Sequence, residues 1–178
     1  MGKKRLLVIG GMILAAAASR LIPHPPNFSP ITAMALLGGA CFVDKRGAFA
    51  VPLAALLASD VVLGFHRTIP FVYASFALIV CLGFWLRTRR TAVPIACAAL
   101  AASLLFFTVT NFGFWALGTM YPKTTEGLLA CYVAAVPFFW NTVLGDAAYT
   151  VVLFGGLALA EKCLPALQKP VLVPTAER

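Results

Sequence analysis

Leu128 to Trp140 reads LLACYVAAVPFFW, apolar throughout but only 13 residues long. A helix that crosses a bilayer takes about 20 residues, fewer when sheltered in a bundle. Whether this stretch crosses decides between six spans and seven. The chain around it is that of an integral membrane protein. Of its 178 residues 61% are hydrophobic and 11% charged, with mean hydropathy +0.93. Soluble domains carry about 25% charge. The length suits a single domain, 1–178, built as one helix bundle with short loops.

Charge settles the count of spans. The apolar runs predict helices at about 5–22, 31–43, 47–64, 69–86, 91–112 and 141–162. With the N-terminus in the cytoplasm, six spans place Lys3, Lys4, Arg5, Lys45, Arg46, Arg87, Arg89, Arg90, Lys162, Lys169 and Arg178 inside. Only Arg20, Arg67 and Lys123 fall outside. A seventh span would move the last three inside charges out, against the cytoplasmic bias of Lys and Arg. Residues 128–140 are therefore expected to form an interfacial or re-entrant helix on the outer side. The same clustering between apolar runs explains the net charge of +8 as a topology signal and excludes a nucleic-acid partner. The start, MGKKRLLVIGGMILAAAAS, has the pattern of a signal peptide; it is expected to be retained as the first span.

With six spans the polar residues gather in one layer. Asp60 and Asn111 lie at the outer ends of the third and fifth helices, and Asn141 and Asp146 at the outer end of the sixth. His24 and Asn27, in PHPPNFSP, and His66 and Arg67 lie in loops on that side. Carboxylates inside a membrane are expensive and mark a functional site or a buried pair. The inner halves of the spans carry almost no such groups. A pocket open outward above a closed inner half fits a capture device, whereas a pore needs polar lining throughout.

Pro25 and Pro26 hold the first loop, PHPPNFSP, extended, with little conformational freedom to lose. It is expected to form a lid or wall of the pocket, with Ser29 and Pro30 starting the second helix. Gly11, Ala15 and Ser19 repeat at four-residue spacing on the first helix, and Gly38-Gly39, Gly64 and Gly155-Gly156 also allow close helix crossings. The cysteines at 41, 81, 97, 131 and 163 have no CxxC spacing and read as small buried hydrophobes. No P-loop, HExxH or GxSxG is present, so the chain itself has no ATP site.

Taken together, PHPPNFSPITAMALLGGACF, LLASDVVLGFH, VYASFALIVCLGFW, FFTVTNFGFW and ACYVAAVPFFWNTVLGDAAYT resemble the BtuM family. These are solitary relatives of the substrate-binding S-components of energy-coupling-factor vitamin transporters, assigned to cobalamin uptake in bacteria. The resemblance covers nearly the whole chain. It implies an all-α, S-component-like bundle of six transmembrane helices in the bacterial cytoplasmic membrane, with both termini cytoplasmic. The implied ligand is cobalamin, and the implied partner is an energy-coupling module of a transmembrane subunit plus ATPases, although such proteins also act alone. The family pattern places a cysteine on the fourth span, here Cys81, as an axial ligand of the cobalamin cobalt. Cys81 is expected near mid-membrane, with Tyr73, Ala74, Ala77 and Phe84 beside it. His24 or His66 would take the opposite axial position. A thiolate on cobalt would also allow removal of cyanide from bound cyanocobalamin. Asp60, Asn111, Asn141 and Asp146 would bond the corrin amides or shape the pocket, and Asn27, Phe28, Tyr73 and Arg67 would line the wall. The alternatives are an S-component for another vitamin, a small membrane enzyme acting on a lipid or quinone through Cys81 or Asp60 and Asp146, and a structural membrane subunit.

Overall fold

The computed structural model describes residues 2–164 and Leu167. Lys169 and Arg178, assigned above to the inner side, lie outside these residues. The fold is an all-helical bundle: α1 Lys3–Ser19, α2 Ile31–Cys41, α3 Lys45–Leu63, α4 Ile69–Trp85, α5 Ala92–Leu117, α6 Thr125–Thr150 and α7 Gly156–Cys163. A π-helical turn, Val151–Gly155, joins α6 to α7 without a break.

The centre of the bundle is α2. All eleven of its residues are buried, which follows from a sequence with no polar side chain larger than threonine. It packs on α1, α3, α4, α5 and α6. Two crossings bring backbone against backbone. A Cβ on Gly39 would stand 2.1 Å from the Val80 carbonyl oxygen and 2.9 Å from the Gly83 Cα, so only glycine fits where α2 meets α4. Gly38 likewise accommodates Pro52 of α3, 2.4 Å from its would-be Cβ. The close crossing expected at Gly38-Gly39 is therefore present. At Gly11, Gly64 and Gly155 nothing lies within 4 Å; in the small-residue stripe of α1, Gly11 and Ala15 are exposed, and Ser19 is half-buried with its hydroxyl 2.9 Å from that of Tyr149 on α6.

Helix ends follow local chemistry. Asp44 caps α3 by accepting from the Gly47 N–H at 3.0 Å, and Thr124 caps α6 by accepting from the Gly127 N–H at 3.2 Å. Gly64 closes α3 at φ 93°, a conformation glycine adopts freely. The last carbonyls of α2 have no further turn to bond to. Arginines from the end of α4 meet them: Arg87 donates to the oxygens of Gly39 (3.0 Å) and Phe42 (2.8 Å), and Arg90 donates to Ala40.

Four segments are long and apolar enough to cross a membrane: Lys45–Leu63, Ile69–Thr88, Ala92–Leu117 and Thr125–Cys163. The six apolar runs expected as spans all fold as helices of the bundle, and they differ in length. With 17 residues α1 stands at the lower limit for a crossing, and with 11 α2 covers only about 16 Å of an apolar layer about 30 Å thick. Residues 128–140 do not form an element apart from the last span; they are the first half of α6. Pro137 is absorbed within that helix. The continuous rod of 39 residues is about 58 Å long, far more than one crossing needs. Charge bias counts crossings and cannot register a helix that overshoots.

The bundle has two distinct ends. One carries Lys3, Lys4, Arg5, Lys45, Arg46, Arg87, Arg89, Arg90 and Lys162, and is called the basic end. There Arg5 and Glu161 pair at 2.5 Å, joining α1 to α7. The other, the loop end, carries residues 20–30, 64–68 and 118–124.

Candidate functional site

A cavity of about 690 Å³ opens at the loop end. One wall is a stripe of α6, Cys131, Ala134, Ala135, Phe138, Thr142 and Asp146, at the three- and four-residue spacing of one helix face. The segment whose role was open in the sequence thus supplies four of these six residues. Phe106, Phe107, Thr110, Asn111 and Phe114 of α5 face it. Ile31 and Thr32 bring the start of α2 into the cavity, Asp60 marks the end of α3, and His24, Asn27, His66, Met120 and Tyr121 come from the loops.

Among the sequence candidates, His24, Asn27, Asp60, His66, Asn111 and Asp146 line this cavity. Asp60 is 4% exposed and Asp146 2%. Their surroundings differ. Asp60 pairs with Arg20 at 2.7 Å and accepts from the Tyr73 hydroxyl at 3.0 Å. Arg20 also donates to Ser59. Arg20 counted only as an outer charge in the sequence; its partner was signalled by a lone arginine and a lone aspartate at the same ends of two spans. Asp146 accepts from the Ser103 hydroxyl at 2.6 Å, and Thr32 lines the same cavity. Asn111 donates to the Phe107 carbonyl of its own helix at 2.8 Å.

The remaining candidates lie elsewhere. Tyr73 reaches the site only through Asp60. Arg67 is exposed outside the cavity. Asn141 also stands outside it and donates to the Pro26 carbonyl at 3.0 Å, holding the proline segment against α6. Phe28 packs on Tyr149 with ring centroids 5.9 Å apart. A Cβ on Gly145 would meet the Phe28 Cα and the Ser29 nitrogen, each at 3.0 Å. The proline-rich segment is thus seated on α6 beside the cavity and delivers α2 into the core. Its helix begins at Ile31 with Pro30 as cap, and the Ser29 hydroxyl makes no cap bond.

Cys81 is exposed and lines no cavity described here. It belongs to the stripe Ala74, Leu78, Cys81 and Trp85, the face of α4 turned away from the bundle. The buried face is Val72, Phe76, Ile79, Val80 and Gly83. Three- and four-residue spacing identified Cys81's neighbours along the helix but not the side to which that face turns. Cys97 and Cys163 are exposed as well, whereas Cys41 and Cys131 are buried.

A second cavity, of about 630 Å³, lies at the basic end between α5 and the α6–α7 rod. Ile95, Ala99 and Leu100 line one side and Val151, Phe154 and Leu157 the other, with Arg90 and Glu161 at its end.

A bundle of apolar helices around a central buried helix, with ionic groups sunk in a cavity at one end, defines a helical membrane protein. The chain belongs to a family described as a family of unknown function (DUF6580), which matches residues 2–167. Neither the comparison with curated proteins nor that with solved structures returns a match.

Proposed function

We propose that this protein is a membrane transport protein that captures a small-molecule ligand in the loop-end cavity and passes it across the bundle. The observation that carries this reading is the cavity itself, with Arg20, Asp60, Asn111 and Asp146 placed around apolar and aromatic walls. Such a mixture, a few convergent polar groups in an apolar concavity, is the ordinary form of a small-molecule site. The excess of Lys and Arg at the basic end favours that end as the cytoplasmic one and the cavity as opening outward, in a bacterial cytoplasmic membrane.

The resemblance to the BtuM family makes cobalamin the first ligand to test. Amide groups around a corrin ring match Asn27, Asn111 and the acceptor oxygens of Asp60 and Asp146. The volume, about 690 Å³, falls in the ordinary range of about 300–1,000 Å³ for ligand sites. A corrinoid would therefore seat one edge in the cavity and extend beyond its mouth, while smaller vitamins would be enclosed. The proposal uses neither a Cys81 thiolate nor cyanide removal, since Cys81 faces outward on α4. A cobalt ligand from this cavity would be His24 or His66, both at its mouth.

Visible absorption of purified protein loaded with cyanocobalamin and freed of excess tests this reading. Retained colour, lost on Asn111→Leu, supports it. A colourless wild-type protein rejects cobalamin, and a thermal-shift screen of other vitamins then tests the cavity. Absence of any stabilising ligand would overturn the transport reading.

A further inference from the structure

We infer that Asp146 is a proton-exchanging group of this bundle, placed at the septum between the loop-end and basic-end cavities. Among the described residues it is the one that lines both. On the loop-end side Thr32 shares the cavity wall with it, and on the basic-end side Ser103, itself in the second cavity's wall, bonds it at 2.6 Å. One helical turn further on, Thr150 lines the second cavity, 5% exposed, its hydroxyl without a partner among the described residues.

The geometry at Ser103 accommodates both protonation states. Its hydroxyl has a single hydrogen and two acceptors in reach, Asp146 Oδ2 at 2.6 Å and the Ala99 carbonyl at 3.0 Å. With Asp146 ionised, the hydroxyl donates to the carboxylate. With Asp146 protonated, the carboxyl donates to Ser103 Oγ, and the hydroxyl turns its hydrogen to Ala99. Each state keeps the Ser103–Asp146 bond, and they differ by one proton and the rotation of one hydroxyl. No cation neutralises Asp146 among the described residues. The charged and titratable groups of the loop-end cavity are Arg20, His24, Asp60, His66, Tyr121 and Cys131, and Arg20 is bonded to Asp60. Those of the basic-end cavity are Cys41, Arg90 and Glu161. A carboxyl within a membrane, held by the Ser103 hydroxyl and reached from two sides, is suited to taking a proton from one and releasing it to the other. This deepens the transport reading and rests on it for what the proton drives; the proton site itself is measured without any ligand.

The test is infrared spectroscopy of the full chain in lipid, titrated with acid and transferred to D₂O. The expected result is a protonated-carboxyl C=O band that grows as pH falls, shifts promptly in D₂O, and is absent from Asp146→Asn. Ser103→Ala should keep the band and move its frequency, because the acid loses its acceptor. A band that survives Asp146→Asn, or disappears only in Asp60→Asn, assigns the proton elsewhere and overturns the inference. So does a band that fails to exchange in D₂O, which marks a sealed structural acid. If Asp146→Asn does not fold, wild type and Ser103→Ala still decide: their bands must differ in frequency, and equal bands overturn it. Failure of cobalamin to bind, read optically, leaves this result intact.

Discussion

Replacing Gly39 with alanine should loosen the whole bundle, since it wedges the α2–α4 crossing. The new methyl would lie 2.1 Å from the Val80 carbonyl oxygen, about 1.3 Å inside the 3.4 Å at which ordinary contact begins. No flexible side chain can yield, because the opposing atoms are backbone on both sides: Gly83 in turn stands 3.0 Å from the Gly39 Cα by its own would-be Cβ. The helices must separate, and α2 has protein on every side. A radial gap of about 0.5–1 Å forfeits a quarter to a half of each dispersion contact it opens. Overpacking of this kind costs about 1–3 kcal/mol, and with rigid backbone opposed we expect about 3. For a chain of this length that corresponds to a fall of about 6–12 °C in melting temperature. The assay is thermal unfolding in detergent followed by tryptophan fluorescence. Gly11→Ala is the control; nothing lies within 4 Å of its Cβ, and it should be neutral or gain up to about 1 kcal/mol. If Gly39→Ala melts within about 2 °C of the wild type, the crossing is not closed as described.

Breaking the Arg20–Asp60 pair by Asp60→Leu should cost about 3–5 kcal/mol, because it strands a largely buried guanidinium. The double variant Arg20→Met/Asp60→Leu should recover most of that loss in the same melt, and strict additivity would exclude a direct pair. Cys81→Ser should leave the spectrum of any bound cobalamin unchanged, and a membrane-soluble maleimide should label Cys81 equally with and without ligand; spectral change or protection would place the ligand on the outer face of α4. Gly145→Ala should push the Phe28–Ser29 backbone off α6 by a few tenths of an ångström, weakening retention of ligand more than it lowers the melting temperature, which paired binding and melting curves will show.

The class of fold was legible because composition and apolar run length report directly on the bilayer. That Asp60, Asn111 and Asp146 would meet at one cavity was legible for a related reason: polar groups in an apolar run are rare enough to be counted, although Asp146 lies deeper than the expected outer layer, where the two cavities meet. What could not be read was azimuth. Cys81 and Val80 are neighbours in sequence, yet one faces outward and the other is fully buried. In a helix apolar on all sides, no amphipathic stripe shows which face turns inward. The same ambiguity hid α2. A short, wholly apolar helix reads as a weak span, and only contacts from its neighbours reveal it as the axis of the bundle. Arg20 and Ser103 were missed because each is unremarkable in sequence until its partner is known.

The shortness of α2 bears on how the protein is made. About 16 Å of helix cannot bridge the bilayer, so this segment cannot be sorted into lipid on its own hydrophobicity. Its terminal carbonyls find their donors on Arg87 and Arg90, more than forty residues further along the chain. During synthesis residues 23–43 must therefore wait, held at the surface or by the insertion machinery, until α4 and the turn after it have arrived. The core of this bundle is translated before α4 and can be put in place only after it.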